Sequence, residues 1–365
     1  MVEPTRHSRL RHWQAALLAV SLAQIPAAAA TVELLDLPSR PSRHVLESQQ
    51  TAVTRADKRL VSVGEAGIIM LSDDNGLTWH QAKVPVSVLL TNVTFVSGQQ
   101  GWAIGHGGVV LATTDGGENW TKQIDGLQAA QIELDAAQAI DPNAPGAKRR
   151  LEDAQRLVDD GADKPLLGIY FADADHGLVV GAYGLALATD DGGKSWRSMM
   201  GNIDNPRGRH LYAVLKTEKA MLIVGEEGRV YRSTDGGRNF AALKQPGRGT
   251  FFGAIASTKD EVVAFGLRGD AYRTTDNGDS WQKIELEPSG LNGGIRLADG
   301  SLVMVDDWGE VLRSEDGGQS FKRVGTPQPM KLVGVAQAAD GSLIAAGNKG
   351  NVRIMLNGNA VEQGK

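Results

Sequence analysis

The chain has 365 residues, 41% of them hydrophobic, a formal net charge of −5 and no cysteine. So mild an acidic balance argues against a nucleic-acid binder, and the missing thiols exclude a disulfide frame, a thiolate metal site and a cysteine nucleophile. Forty-five glycines suit a fold with many tight turns, where positive φ is needed.

Residues 1–30 read as a signal peptide. Arg6, Arg9 and Arg11 form a positive start, residues 15–25 a short apolar run, and Ala28-Ala29-Ala30 a small-residue cleavage site before Thr31. The run is too short for a comfortable membrane span, so a removed leader fits better than an anchor. Either way the chain is expected to be exported, to the periplasm or its equivalent. Residues 31–38 alternate apolar and polar side chains and are expected to form a strand that completes the last unit of the fold.

From there one sentence is rewritten along the chain. A closing turn, Ser/Thr-x-Asp-x-Gly-x-x-Trp/Phe, occurs six times, with its carboxylates at Asp74, Asp115, Asp191, Asp235, Asp276 and Asp316. The steps between them are 41, 76, 44, 41 and 40 residues. A tight turn precedes each box, from Gly64-Glu-Ala-Gly67 through Asp306-Asp-Trp-Gly309, and a seventh stands at Gly347-Asn-Lys-Gly350. There Asn357 takes the aspartate's place and no aromatic follows. Short strand-like runs at a fixed period of about 40 residues mark the blades of a propeller. The fold expected over residues 31–365 is therefore all-β, a seven-bladed β-propeller. In each box the carboxylate can accept backbone N–H groups across its own turn, the glycine takes positive φ and the aromatic packs between blades. Six near-identical sites suit a structural role better than a catalytic one.

The one long step marks an insertion at 127–164, between blades 2 and 3. Leu127, Ala130, Leu134 and Ala137 recur at helical spacing, as do Leu151, Ala154 and Leu157, which predicts a small α-helical hairpin. It is either an ornament packed on the propeller or a partner-binding arm.

Meander topology puts the blade-to-blade connections, and with them the insertion, on the face that carries the seven tight turns. The closing boxes lie on the other face. The tight-turn tips differ far more than the boxes do. Tyr183, Arg268 and Trp308 occupy three of them, and neighbouring connections supply Arg207, Arg209, Lys244 and Arg248. These seven residues are the candidate partner-binding set, since arginines in fixed loops suit capture of carboxylates and exposed aromatics suit interface anchors. Arg232, Arg273 and Arg313 share a repeat position occupied by Leu71, Ala112, Ala188 and Ile354 in the other blades. Their guanidinium groups are expected to bond neighbouring backbone.

The boxes are Asp-box (BNR-type) repeats, and their tandem array behind a signal peptide resembles the Ycf48/HCF136 family of photosystem II assembly factors and their bacterial relatives. That resemblance spans most of the chain. It implies a non-enzymatic scaffold that helps assemble or stabilise a membrane protein complex, as a monomer and without cofactor, metal or nucleic acid. Two other readings remain: an accessory subunit of an inner-membrane exporter, and a glycan-binding or sialidase-type propeller. The sialidase reading lacks an Arg-Ile-Pro motif, no Gly-x-Ser-x-Gly or His-Glu-x-x-His occurs, and Gly193-Lys194-Ser195, which imitates a P-loop end, already belongs to an Asp box.

Overall fold

Seven antiparallel sheets follow one another along the chain, each a meander of consecutive strands. They are the blades of a seven-bladed β-propeller, with a two-helix insertion. The computed structural model describes residues 34–257, 260–325 and 328–356. The leader, residues 31–33 of the expected closing strand, and Asn357 lie outside these.

The innermost strands are Gln50–Ala56, Leu90–Phe95, Leu166–Phe171, Leu211–Lys216, Phe251–Ala256, Leu291–Arg296 and Leu332–Gln337. Seven strands can converge only if their backbones approach closely. A Cβ built on Gly334 would fall 3.0 Å from Ala52 Cα, and one on Gly168 would fall 2.9 Å from Tyr212 O. Glycine is what lets inner strand touch inner strand. The second strands of blades 2 to 7, such as Met221–Gly225, are buried at every position. A continuous Val/Ile/Leu run fits a strand covered on both faces, here by the neighbouring blades.

Residues 34–38 do not pair with the last blade. They run as turn and bend beside blades 1 and 2, where Leu34 O accepts from Ser87 N at 2.8 Å, Leu37 O accepts from Ser87 Oγ at 2.9 Å, and Leu35 is buried. Asp36 and Asp125 both hold Lys122 Nζ, at 2.8 and 3.2 Å. An apolar leucine and two carbonyls find partners there, so nothing draws the segment to an edge strand. The seventh blade keeps three strands among the described residues.

The ring closes instead through side chains. Leu60, Ile344 and Ala346 form one buried cluster with Val53 and Ala336. Ser62 Oγ bonds Asn351 Oδ1 at 3.0 Å, and Arg353 donates to Asn75 O at 3.2 Å while its other end pairs with Asp340 at 2.7 Å. Arg353, not Ile354, pairs with Ile344 at the register position that Arg232, Arg273 and Arg313 hold opposite Leu222, Val263 and Val303. The Gly347–Gly350 turn is shorter than its counterparts, so counting along the sequence missed by one residue. Like Arg353, Arg232 reaches a box carbonyl of the next blade, Asn277 O at 3.3 Å, and Arg273 reaches Gly317 O at 2.8 Å. They are inter-blade ties. Arg353→Met keeps the stem and removes the tie, and is expected to cost about 1–2 kcal/mol, read as a lower urea midpoint. An unmoved midpoint would mean that closure rests on apolar packing alone.

Candidate functional site

The insertion folds as two helices, α1 (Gly126–Gln138) and α2 (Ala147–Asp160). α1 starts in a capping box: Asp125 Oδ1 accepts from Leu127 N and Gln128 N, and Gln128 Oε1 accepts from Asp125 N. Its buried face is mostly small. Ala129 packs into the core cluster of Trp102 and Phe171, and Leu134 and Ala137 meet Ala154 of α2.

One charged residue on that face is buried too. Glu133, 2% exposed at its side chain, receives a bidentate Arg150 at 2.8 and 3.0 Å and the Ser198 hydroxyl from the outer strand of blade 3, Arg197–Ser198. Three elements meet at one carboxylate. Arg150 runs on beneath the next turn, where a Cβ on Gly201 would sit 1.9 Å from its Nη1. The hairpin is fixed to blade 3 rather than swinging from it.

Topology and contacts put the hairpin on the tight-turn face. Tyr183, at the tip of blade 3's turn, is 56% exposed and holds φ +55°, a left-handed conformation unfavourable for a bulky side chain. Lys164 Nζ sits 4.9 Å from its ring centroid, and the His210 ring centroid lies 5.0 Å from it. Burial pulls the Lys164 pKa down, but hydrogen bonds from its ammonium to Asp163 and Asp160 hold it above the ordinary value, so it stays a cation. From His210 an aromatic line continues through Tyr212 at 6.4 Å to Phe252 at 5.4 Å. Burial, with the Glu226 carboxylate, pushes the Tyr212 hydroxyl up, so it remains a neutral donor.

The connections and turns alternate in an arc. The 203–210 loop lies on blade 3's turn, where a Cβ on Gly208 would be 3.2 Å from Tyr183 O. The 244–250 loop lies on blade 4's turn through Gln245 and Glu227 O, and against blade 5 at Asp270 and Tyr272. Blade 5's turn carries Arg268 at φ +59°, and blade 6's turn carries Trp308, 48% exposed, beside an Asp307 bonded to Asn292 and Lys331.

Within the arc the expected residues divide. Arg209 is not free: its Nη2 pairs with Glu227 at 2.9 Å, so its charge is already used within the fold. Arg207, Lys244, Arg248 and Arg268 are exposed and form no ion pair among the described residues. On the opposite face Arg59, Arg232, Arg313 and Arg353 each pair with a carboxylate at 2.7 Å, and Arg273 does so at 3.0 Å. The sequence reading missed Lys164, His210, Tyr212 and Phe252. Tyr212 and Phe252 sit one repeat apart at the second place of an inner strand, a signal visible only once the strands are aligned.

The boxes hold their own hairpins. Asp235 accepts from Ser233 Oγ at 2.7 Å, from Arg238 N and Asn239 N at 3.0 Å, and from Asn239 Nδ2 at 2.9 Å. Hydrogen bonds from the Ser195 hydroxyl and backbone, and from Thr189, bring the Asp191 pKa down to about 2. Both oxygens of each box carboxylate accept from their own turn.

The sequence profile of the family described as "Photosynthesis system II assembly factor YCF48" matches residues 47–139 and 150–323. A "Photosystem II assembly lipoprotein Ycf48" from Synechococcus sp. (strain CC9902) is 31% identical over 77 residues, which cover 21% of this chain and only 23% of that relative's length. Among solved structures, "YCF48 bound to D1 peptide" superposes with a TM-score of 0.60 at 17% identity, over 85% of this chain and 94% of that one. "YCF48 from Cyanidioschyzon merolae" gives 0.58 at 16% identity, over 85% and 96%. The WD40 propeller domain of Doa1 gives 0.61 at 12% identity, over 88% and 95%. At these identities the superpositions show the fold alone.

Proposed function

This chain belongs to the Ycf48 photosystem II assembly-factor family, and from that premise we propose that it is an exported, non-enzymatic scaffold that binds a segment of a membrane protein and helps assemble or stabilise its complex. The binding face is the one with the tight turns and the hairpin. One observation carries this reading: Arg207, Lys244, Arg248 and Arg268 are exposed on the connections and turns of one arc and form no ion pair among the described residues. Exposed cations on rigid loops cost little to organise and await carboxylates. Tyr183 and Trp308 add rigid aromatic area along the same arc. A peptide is also what one solved relative holds. Export is supported by the basic start and short apolar run of residues 1–30.

The test is recovery of membrane proteins on the tagged chain from mild-detergent extracts, wild type against an Arg207/Lys244/Arg248/Arg268→Ala variant. At about 1 kcal/mol per charge-assisted contact, the four losses together predict roughly a thousandfold weaker binding. The captured complex should vanish from the variant while its melting temperature stays put. Equal capture by both forms would remove the arc from the function.

A further inference from the structure

Beside the arc lies a cleft of about 840 Å³ that the arc does not explain. One wall is α2, with Arg149, Asp153 and Arg156; the other is the connection from blade 3 to blade 4, with Asp204 and Arg207. Between them the floor is apolar: Leu157, Met200, Ile203 and Phe240. Tyr183 also lines the cleft.

Three properties separate this cleft from an ordinary crevice. Its walls are fixed, because Glu133, Arg150 and Ser198 bind both helices to blade 3, and the 202–204 segment is paired with Phe240 by two backbone hydrogen bonds of 2.7 and 2.9 Å. Its floor is apolar although its rims are charged, a combination that suits burial of aliphatic or aromatic side chains beneath a polar rim. Its charges are not paired across the opening. Arg149 and Arg156 share the single carboxylate Asp153, at 3.6 and 3.2 Å, and no ion pair among the described residues spans the two walls above the buried Glu133–Arg150 contact. Arg207 and Asp204, on the facing wall, have none at all.

We propose that this groove is a peptide-binding site whose ligand is an extended segment of a partner protein that presents a carboxylate beside aliphatic or aromatic side chains. The apolar side chains enter over Met200 and Phe240, and the carboxylate meets Arg207 and the Arg149/Arg156 pair. The hairpin is then one wall of the site rather than an ornament. Arg207 and Tyr183 belong to both groove and arc, so a segment leaving the groove passes directly onto the arc. The inference rests on the partner-binding reading given above.

Selection of a phage-displayed random dodecapeptide library on the immobilised full chain, with counter-selection on Ala241→Trp, tests it. Ala241 is exposed and lines the groove, so the indole fills the cleft without entering the core. Selected peptides should combine Asp or Glu with Leu, Ile, Phe or Trp. A fluorescein-labelled winner should bind wild type and lose at least tenfold in affinity on Ala241→Trp and on Arg207→Glu, while Arg248→Glu changes it by no more than about threefold. Melting temperatures equal to wild type exclude misfolding. Failure to select any peptide that discriminates the filled variant overturns the groove, as does a basic or wholly polar consensus. A winner insensitive to Ala241→Trp yet abolished by Arg248→Glu also overturns it, and leaves the arc standing by itself.

Discussion

Replacing Glu133 by alanine is expected to release the helical hairpin from the propeller. The substitution leaves Arg150 with no carboxylate and the Ser198 hydroxyl with no acceptor, in a place where the Glu133 side chain is 2% exposed. Removing one partner of a buried ion pair is expensive because the other charge stays behind, on the order of 3 kcal/mol. Helix α1 has little else of comparable strength, since much of its buried face is alanine. The loss should appear locally. Amide exchange across 126–160 should accelerate roughly a hundredfold while the inner strands keep their protection. Glu133→Gln retains an acceptor for Ser198 and should fall between. Unchanged exchange in Glu133→Ala would show that apolar packing alone docks the hairpin, and would weaken the view of a fixed groove wall.

That docking is also where the sequence was hardest to read. The boxes and tight turns announce their own geometry, because a Gly at positive φ and an Asp serving its own turn are local needs that leave local signatures. Blade number, the insertion and its helices follow from such signals. Contacts between distant segments do not. Nothing in Glu133 itself distinguishes it from the surface acids around it until Arg150 and Ser198 are brought up. Arg209 looked as available as Arg207, and only the placement of Glu227 removes it from the set of free cations. The segment 34–38 has the alternation of a strand, yet Leu35 finds a buried seat beside blades 1 and 2, so the edge of the last blade is left to Arg353, Asn351 and their partners. A one-residue difference in turn length was enough to hide Arg353 from the repeat count.

Lowering the pH below about 4 is expected to destabilise the propeller through its boxes. All six box carboxylates are held below the ordinary value near 3.8. At Asp191 the first cause is the hydrogen bond from the Ser195 hydroxyl; at Asp276 burial opposes the shift and the bonds from Ser280 and Thr274 outweigh it, and both come to about 2. A carboxylate whose folded pKa is depressed binds a proton more readily when the chain is unfolded. Its contribution is therefore complete above the unfolded value and is lost as pH falls through the folded one. For Asp191 and Asp276 the window runs from just below 4 to about 2, and Asp235 and Asp316 are lost lower still. Each box is exposed and contributes little by itself, but all six lose their contributions in the same acid range. Asp235→Ala separates this from general charge repulsion. It removes the acceptor for Ser233, Arg238 and Asn239, so it should melt below wild type at pH 7, and the gap between the two should narrow as the pH falls below about 4 and close only below about 2, because Asp235 is held lower than Asp191 and Asp276. A gap of constant size across the titration would show that the box acts through packing and not through its charge.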